Sequence, residues 1–238
     1  MRLLLFRMKL DVWQNITMER TMRYSNMFVT GCDSKTEWML PWFIETYKRH
    51  NDTPIVVANF GMSTTMVNYL TTSKIEMIHG SDDIAGKGWF AKPRTMILAS
   101  MMCDRWCWID TDCQVFGDIS GIFDHIEPGK IAMVEDKPWS SRRGETWHNS
   151  GVVAGEGVPP ILRTWEFEVS RNPSVGDQEV LHEIVKEGMK RLIHITDLPN
   201  KYNWLRLQVL DGHDDPNKLV MHHTGQKGKA LIRTLIGI

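Results

Sequence analysis

The sequence predicts one α/β domain: a mainly parallel central sheet flanked by helices, with a smaller mixed C-terminal part. Three observations carry that prediction. Short apolar runs alternate with amphipathic helical stretches through the first half of the chain, the pattern of parallel strands joined by crossover helices. Polar clusters sit at the ends of several of these runs, where an open α/β sheet gathers its ligands. The 238 residues, 42% hydrophobic and 24% charged, suffice for one large domain with a real core.

The elements follow in order. Met27-Phe28-Val29-Thr30 is the first strand, stopped by Gly31. Residues 36–49 form a helix whose apolar side carries Trp38, Phe43 and Tyr47, with Pro41 near its start. A strand over 55–58, a helix over 63–71 and a strand over 75–78 come next. Pro93 opens a helix to about Cys103, because a first-turn residue needs no amide hydrogen. The strand that begins at Arg105 runs into Asp110-Thr111-Asp112. Beyond it lie a short helix over 120–126, strands over 131–134 and 150–154, and helices over 159–170 and 177–187. Strands over 192–195 and 219–222 and a closing helix from about 229 complete the chain. Residues 1–25 read as a peripheral extension and 26–238 as the domain, with no repeat or linker inside it.

Composition narrows the function. Lys and Arg number 28 against 29 Asp and Glu, for a net charge of -1, so no nucleic-acid footprint is present. The apolar run at residues 3–6 is too short for a signal peptide or a membrane span, and no later stretch reaches membrane length. A cytoplasmic protein without a transmembrane segment is the expectation. Cys32, Cys103, Cys107 and Cys113 lack disulfide-framework spacing and contain no Cys-x-x-Cys pair, so reduced thiols are expected rather than a zinc site. Ten tryptophans are many for this length, and their rings stack well on sugar faces as well as filling cores.

Asp110 and Asp112 are the most informative pair. A strand's period of two puts Trp106, Trp108 and Asp110 on one face and Cys107 and Ile109 on the other. Both carboxylates then leave the sheet on the same side, where their repulsion calls for a raised pKa or a divalent cation. Lys92 and Arg94, at a helix start, suit a phosphate or an acidic side chain. Gly31 and Cys32 after the first strand let a nucleotide base approach the backbone. His222 offers imidazole to Mn²⁺ or Zn²⁺, and Gly225 with Lys227 and Lys229 can cradle a diphosphate. His148-Asn149-Ser150-Gly151 and Gly176-Asp177-Gln178 are weaker signals, since a turn and a helix cap explain them equally well.

The order of these motifs resembles that of GT-A glycosyltransferases, most nearly the glycogenin-like and bacterial galactosyltransferase-like family. The resemblance runs from Phe28 to Lys229 and includes Leu198-Pro199, Tyr202-Asn203 and His222-x-x-Gly225. It implies a Rossmann-like GT-A fold and transfer of a sugar from a nucleotide-diphosphate donor, with uridine as the habitual base and retention of configuration. It also implies Mn²⁺ (or Mg²⁺) on Asp110, Asp112 and His222. Donor contacts would come from Thr30, Gly31, Cys32, Lys92, Arg94, Thr111, Asn149, Ser150, Gly151, Gly225, Lys227 and Lys229, and catalytic ones from Asp177 and Gln178. Trp139, Trp147 and Trp204 are candidates to stack the acceptor, whether glycan, protein or small molecule. The family's closing Lys-Pro-Trp is Lys227-Gly228-Lys229 here, which leaves the matching lysine open.

Two rival readings compete. A haloacid-dehalogenase-type phosphohydrolase also places Asp-x-Asp after an apolar strand, and Asp214-Asp215 mimics its late acidic pair. That class wants Thr or Val two residues after the second aspartate, where this chain has Gln114, and it carries the motif near the N-terminus. A non-catalytic nucleotide-sugar-binding protein with the same fold is the other.

Overall fold

The computed structural model describes residues 23–79, 88–172 and 174–238. The expected extension therefore lies, up to residue 22, outside the described residues. The first half alternates as expected: β1 (Tyr24–Cys32), α1 (Leu40–Lys48), β2 (Ile55–Asn59), α2 (Thr64–Thr72), β3 (Met77–Ile78), α3 (Lys92–Ala99) and β4 (Cys103–Ile109). Then come β5 (Cys113–Val115), β6 (Ile131–Glu135), α4 (Lys137–Arg143), β7 (His148–Glu156), α5 (Pro160–Arg171) and α6 (Asp177–Val185). The chain closes with α7 (Lys190–His194), β8 (Ile195–Asp197), β9 (Trp204–Leu205), α8 (Arg206–Leu210), β10 (Val220–His222) and α9 (Gly225–Ile236).

Seven strands form the main sheet in the order β3-β2-β1-β4-β7-β6-β8. All neighbours are parallel except β7, which runs against both β4 and β6. A second sheet, β5-β10-β9, stands beside it. This is the mainly parallel sheet with a smaller mixed part that the sequence predicts.

Alternation along β1 and β4 divides the core into two layers. Phe28, Cys107 and Ile109 face Leu40, Phe43 and Tyr47 of α1 together with Val115 and Val220 of the small sheet. Met27, Val29, Trp106 and Trp108 face Met96 of α3, Leu162 and Trp165 of α5 and Leu181 of α6. Trp106 through Ile109 are at most 1% exposed, so β4 is buried on both faces rather than half-buried. Its neighbours on either side leave no free edge.

Several boundaries differ from expectation, each for a physical reason. Gly31 does not stop β1, because its missing side chain makes room for Phe60; a Cβ there would lie 2.8 Å from that ring. The helix from Pro93 ends at Ala99, and Cys103 already belongs to β4. Residues 190–194 turn helical, leaving Leu192 and Ile193 exposed, and pairing starts only at Ile195 opposite Ile131. The last helix starts at Gly225, not 229. The elements that sequence patterning missed, β5, α4, β9 and α8, are seven residues or fewer, too short for a period to register. Among the described residues, no helix is long and apolar enough to cross a membrane.

Trp106 is fully buried and lies against Gly155, where a Cβ would come within 2.6 Å of the indole. Trp106→Ala should cost about 3–5 kcal/mol of unfolding free energy, measured by urea denaturation.

Candidate functional site

The turn from β4 to β5 carries the two aspartates from one sheet to the other. Asp110 N–H donates to Gly151 O at 2.8 Å, and Cys113 N–H donates to Asp110 O at 3.1 Å. In the small sheet Cys113 pairs directly with His222, and His223 N–H donates to Asp112 O at 2.9 Å. That register brings His222 Nε2 to 3.2 Å from Asp112 Oδ1 and 3.9 Å from Asp110 Oδ2. The three residues assigned to a metal from the sequence therefore meet. Gly151 makes the meeting possible: a Cβ there would sit 2.1 Å from His222 Cε1.

Lys92 offsets part of the repulsion between the carboxylates. It is only 5% exposed, and its Nζ lies 2.9 Å from Asp110 Oδ2 and 3.2 Å from Asp177 Oδ2. Burial alone would push its pKa down; Asp110 and Asp177 outweigh that and hold it above the usual lysine range. Burial and the neighbouring Asp112 raise the Asp110 carboxyl against the pull of Lys92. Asp112 also suffers burial, but His222 outweighs it and keeps the carboxyl below the usual range. Burial opposes the charge on His222 too, yet Asp112 raises its pKa.

With His222 neutral, three carboxylates share one contacting ammonium, that of Lys92, with Lys229 acting on Asp112 from farther off, an excess of negative charge that a cation would offset. The tautomer of His222 fits that role. Its Nδ1 lies 3.0 Å from Asn149 Oδ1, which also accepts the Gly151 backbone N–H at 3.0 Å. An amide oxygen so defined requires a proton on Nδ1, which leaves Nε2 as the nitrogen facing Asp112 and the one that a cation would take in place of its proton. Asn203 Oδ1, 3.2 Å from Nδ1, adds a second acceptor. A carboxylate and an imidazole oriented in this way suit Mn²⁺ and its neighbours.

Two clefts meet at this cluster, and both are lined by Lys92, Asp110 and Asp112. Gly31, Cys32, Thr111 and Lys229 line the first. Asn149, Ser150, Asp177, Gln178, His222 and Gly225 line the second. Lys229 lines the first cleft and its charge acts on Asp112, whereas Lys227 is exposed and lines neither cleft. Thr30 is fully buried inside β1, Gly151 is buried in β7, and half-buried Arg94 lines neither cleft. Lys92, read as a phosphate or carboxylate partner, is engaged by carboxylates.

Gln178 is locked in a network. Its Oε1 accepts from Asn149 Nδ2 at 3.0 Å, and its Nε2–H donates to Asp136 Oδ2 at 3.1 Å. Asp136 also caps α4 through Trp139 N–H. Asp136 and Asn203 thus hold the site's polar side chains, and the motif reading gave neither a role. The Trp108 Nε1–H bond to Asp110 Oδ1, at 2.7 Å, was legible as two residues two apart on one strand. Of the acceptor candidates, Trp139 lines the second cleft. Trp147 is buried against His182 with ring centroids 3.7 Å apart, and Trp204 lines a separate pocket with Asn200.

No protein-family profile matches the chain. A curated protein, the symmetrical bis(5'-nucleosyl)-tetraphosphatase of Klebsiella pneumoniae, is 30% identical over 126 residues. That match covers 47% of this chain, which spans only 42% of the relative's length. Solved glycosyltransferases match the three-dimensional structure far more fully. The galactosyltransferase LgtC, crystallised with donor and acceptor sugar analogues, superposes with a TM-score of 0.63 at 14% identity, over 84% of this chain and 87% of that one. Apo GlyE of Streptococcus pneumoniae gives 0.62 at 18% identity, over 86% of this chain and 55% of its own. The bifunctional WbbM gives 0.57 at 12% identity, over 89% and 47%. The fold is that of the GT-A glycosyltransferases.

Gly151→Ala should displace His222 and cost about 1–3 kcal/mol by overpacking, read by urea denaturation. A pH effect follows from His148, whose Nε2 lies 2.7 Å from Asp197 Oδ1. Burial holds the imidazole below its ordinary pKa despite Asp197, and the depressed Asp197 carboxyl stays ionised through His148 and Arg191 against its own burial. The fold thus refuses a proton that the unfolded chain accepts, so stability should fall as pH drops below about 6.5. His148→Gln should flatten the upper part of that decline in denaturation curves taken across pH.

Proposed function

We propose that this protein transfers a sugar from a nucleotide-diphosphate donor, with uridine the preferred base, to an acceptor in the second cleft. The observation that carries the reading is the convergence of Asp110, Asp112, Asp177, Lys92 and His222 where the two clefts join. Likeness to structures of LgtC and GlyE supports it.

Each residue has a task in this scheme. The backbone at Gly31 and Cys32 receives the base at the end of β1. Asp112 and His222 would hold a divalent ion, which supplies Lewis-acid stabilisation of the charge that builds on the departing diphosphate. Lys229 and the amides at the start of α9 add positive potential at the same place. Lys92 fixes Asp177 beside Asp110, so that the carboxylate faces the sugar-binding side without free rotation. Gln178, held by Asp136 and Asn149, orients the sugar centre as it gains oxocarbenium character. An LgtC structure of an active-site glutamine-to-glutamate variant is in keeping with such a role. Retention of configuration is the outcome proposed from the family resemblance.

The partial match to the tetraphosphatase favours a second reading, hydrolysis of a nucleoside polyphosphate at the same acidic cluster. One assay separates the readings. Incubated with UDP-sugars and Mn²⁺, the protein should release UDP and free sugar slowly while leaving diadenosine tetraphosphate intact. Cleavage of the tetraphosphate alone would favour the hydrolase, and turnover of neither would leave a binding protein. Asp112→Asn should abolish metal-supported donor binding in a thermal-shift assay while the apo protein melts as before. Gln178→Ala should lower turnover about 100-fold through lost positioning, with little change in donor affinity.

A further inference from the structure

The layer made by α4, β9 and α8 has two sides. Trp139, Leu205 and Leu207 line the second cleft from one of them. Lys137, Trp204 and Gln208, on the same three elements, line a separate cavity of about 500 Å³. The period of two along β9 explains the division, since Trp204 and Leu205 leave opposite faces. A hollow of that volume is in the range of small-molecule sites. Arg142 donates to both carboxylate oxygens of Asp211, at 3.1 and 3.2 Å, and so ties α4 to the end of α8 at the cavity's rim.

Two side chains in the wall are arranged for a guest. Trp204 Nε1–H donates to His213 O at 3.3 Å. The half-buried indole thus spends its one polar atom on the protein and has ring surface to offer the cavity. Asn200 also lines the cavity, and both atoms of its side-chain amide are closed off from solvent without a hydrogen-bond partner. An amide left in that state is costly. Turning toward the cavity would give it partners, and a guest must bring both a donor and an acceptor to satisfy it. Charge selects little here. The lining contains one cation in Lys137 and one anion in Asp211, which Arg142 already engages.

We infer that this cavity is a carbohydrate-binding site, separate from the two clefts, in which a neutral sugar ring stacks on Trp204 and bonds to Asn200. The C–H face of a pyranose matches an indole face. Neighbouring hydroxyls, each a donor and an acceptor, match the oxygen and the nitrogen of one amide. An ion finds no excess of opposite charge to hold it. The site goes beyond the transfer reaction proposed above and does not require it.

Nuclear magnetic resonance of the isotope-labelled full chain tests this. Ten tryptophans give ten indole signals, and Trp204→Phe identifies the one that belongs to Trp204. Methyl α-glucoside, methyl α-galactoside, methyl α-mannoside and N-acetylglucosamine are each titrated to about 100 mM, because one stacked ring with a few hydrogen bonds binds in the millimolar range. At least one of these sugars should displace the Trp204 signal along a saturating curve. Asn200→Ala should weaken that binding about tenfold, the scale of one lost hydrogen bond. Asp112→Asn, which strikes the other site, should leave the curve unchanged. A Trp204 signal that ignores every sugar overturns the assignment, as does one that moves with adenosine alone. Binding undiminished in Asn200→Ala, or lost in Asp112→Asn, overturns it as well. Should Asn200→Ala fail to fold, Overhauser contacts between sugar protons and the Trp204 ring decide in the wild type: their presence supports the site and their absence rejects it. The UDP-sugar assay above is scored separately, so failure of the transferase reading leaves this result standing.

Discussion

The whole site is organised by one problem, the crowding of three carboxylates in a place that water barely reaches. Left alone, Asp110, Asp112 and Asp177 would repel one another and resist ionisation. The fold answers with two cationic or protonatable groups delivered from opposite directions. Lys92 comes from the first turn of α3, wedged between Asp110 and Asp177, and His222 comes from the end of β10 beside Asp112. The remaining negative potential would favour a cation at the junction of the clefts, which the proposed function requires.

Orientation is secured by neutral groups. Asn149, Asn203, Gln178 and Asp136 form a connected set of side-chain hydrogen bonds behind His222. Each amide in it has its oxygen and nitrogen roles fixed by a neighbour, beginning with the backbone N–H of Gly151. A network satisfied in this way is rigid, and a rigid imidazole keeps its Nε2 aimed at Asp112.

Much of this was readable from residue order. The alternating first half gave a parallel sheet, and the abrupt end of Trp106-Cys107-Trp108-Ile109 in Asp110 marked the ligand-binding edge. His222 was legible as a candidate because Lys227 and Lys229 follow it closely, although histidines at the end of an apolar strand can also be plain edge residues. Its partner was visible only through the family resemblance, since β5 has three residues and no detectable period. Lys92 was seen as a cation at a helix start, but whether it faced phosphate or carboxylate depended on how β7 and α6 pack around it. Asn203 entered only as part of the family resemblance, without a role, and Asp136 escaped notice, because buried amides and caps carry no spacing signature. Gly151 looked like an ordinary turn glycine, and only the contact with His222 reveals why no side chain fits there.

The register between β5 and β10 also governs the order in which the molecule can become whole. Asp110 and Asp112 are made long before the strand that supplies His222, and the two parts join across the small sheet rather than through neighbouring chain. A ribosome must therefore add more than a hundred residues after Asp112 before the acidic turn meets its imidazole at His222. Until that late docking, the turn keeps only the help that α3 gives it. Ion capture would then act as a final latch, fastening the C-terminal segment to a framework assembled earlier.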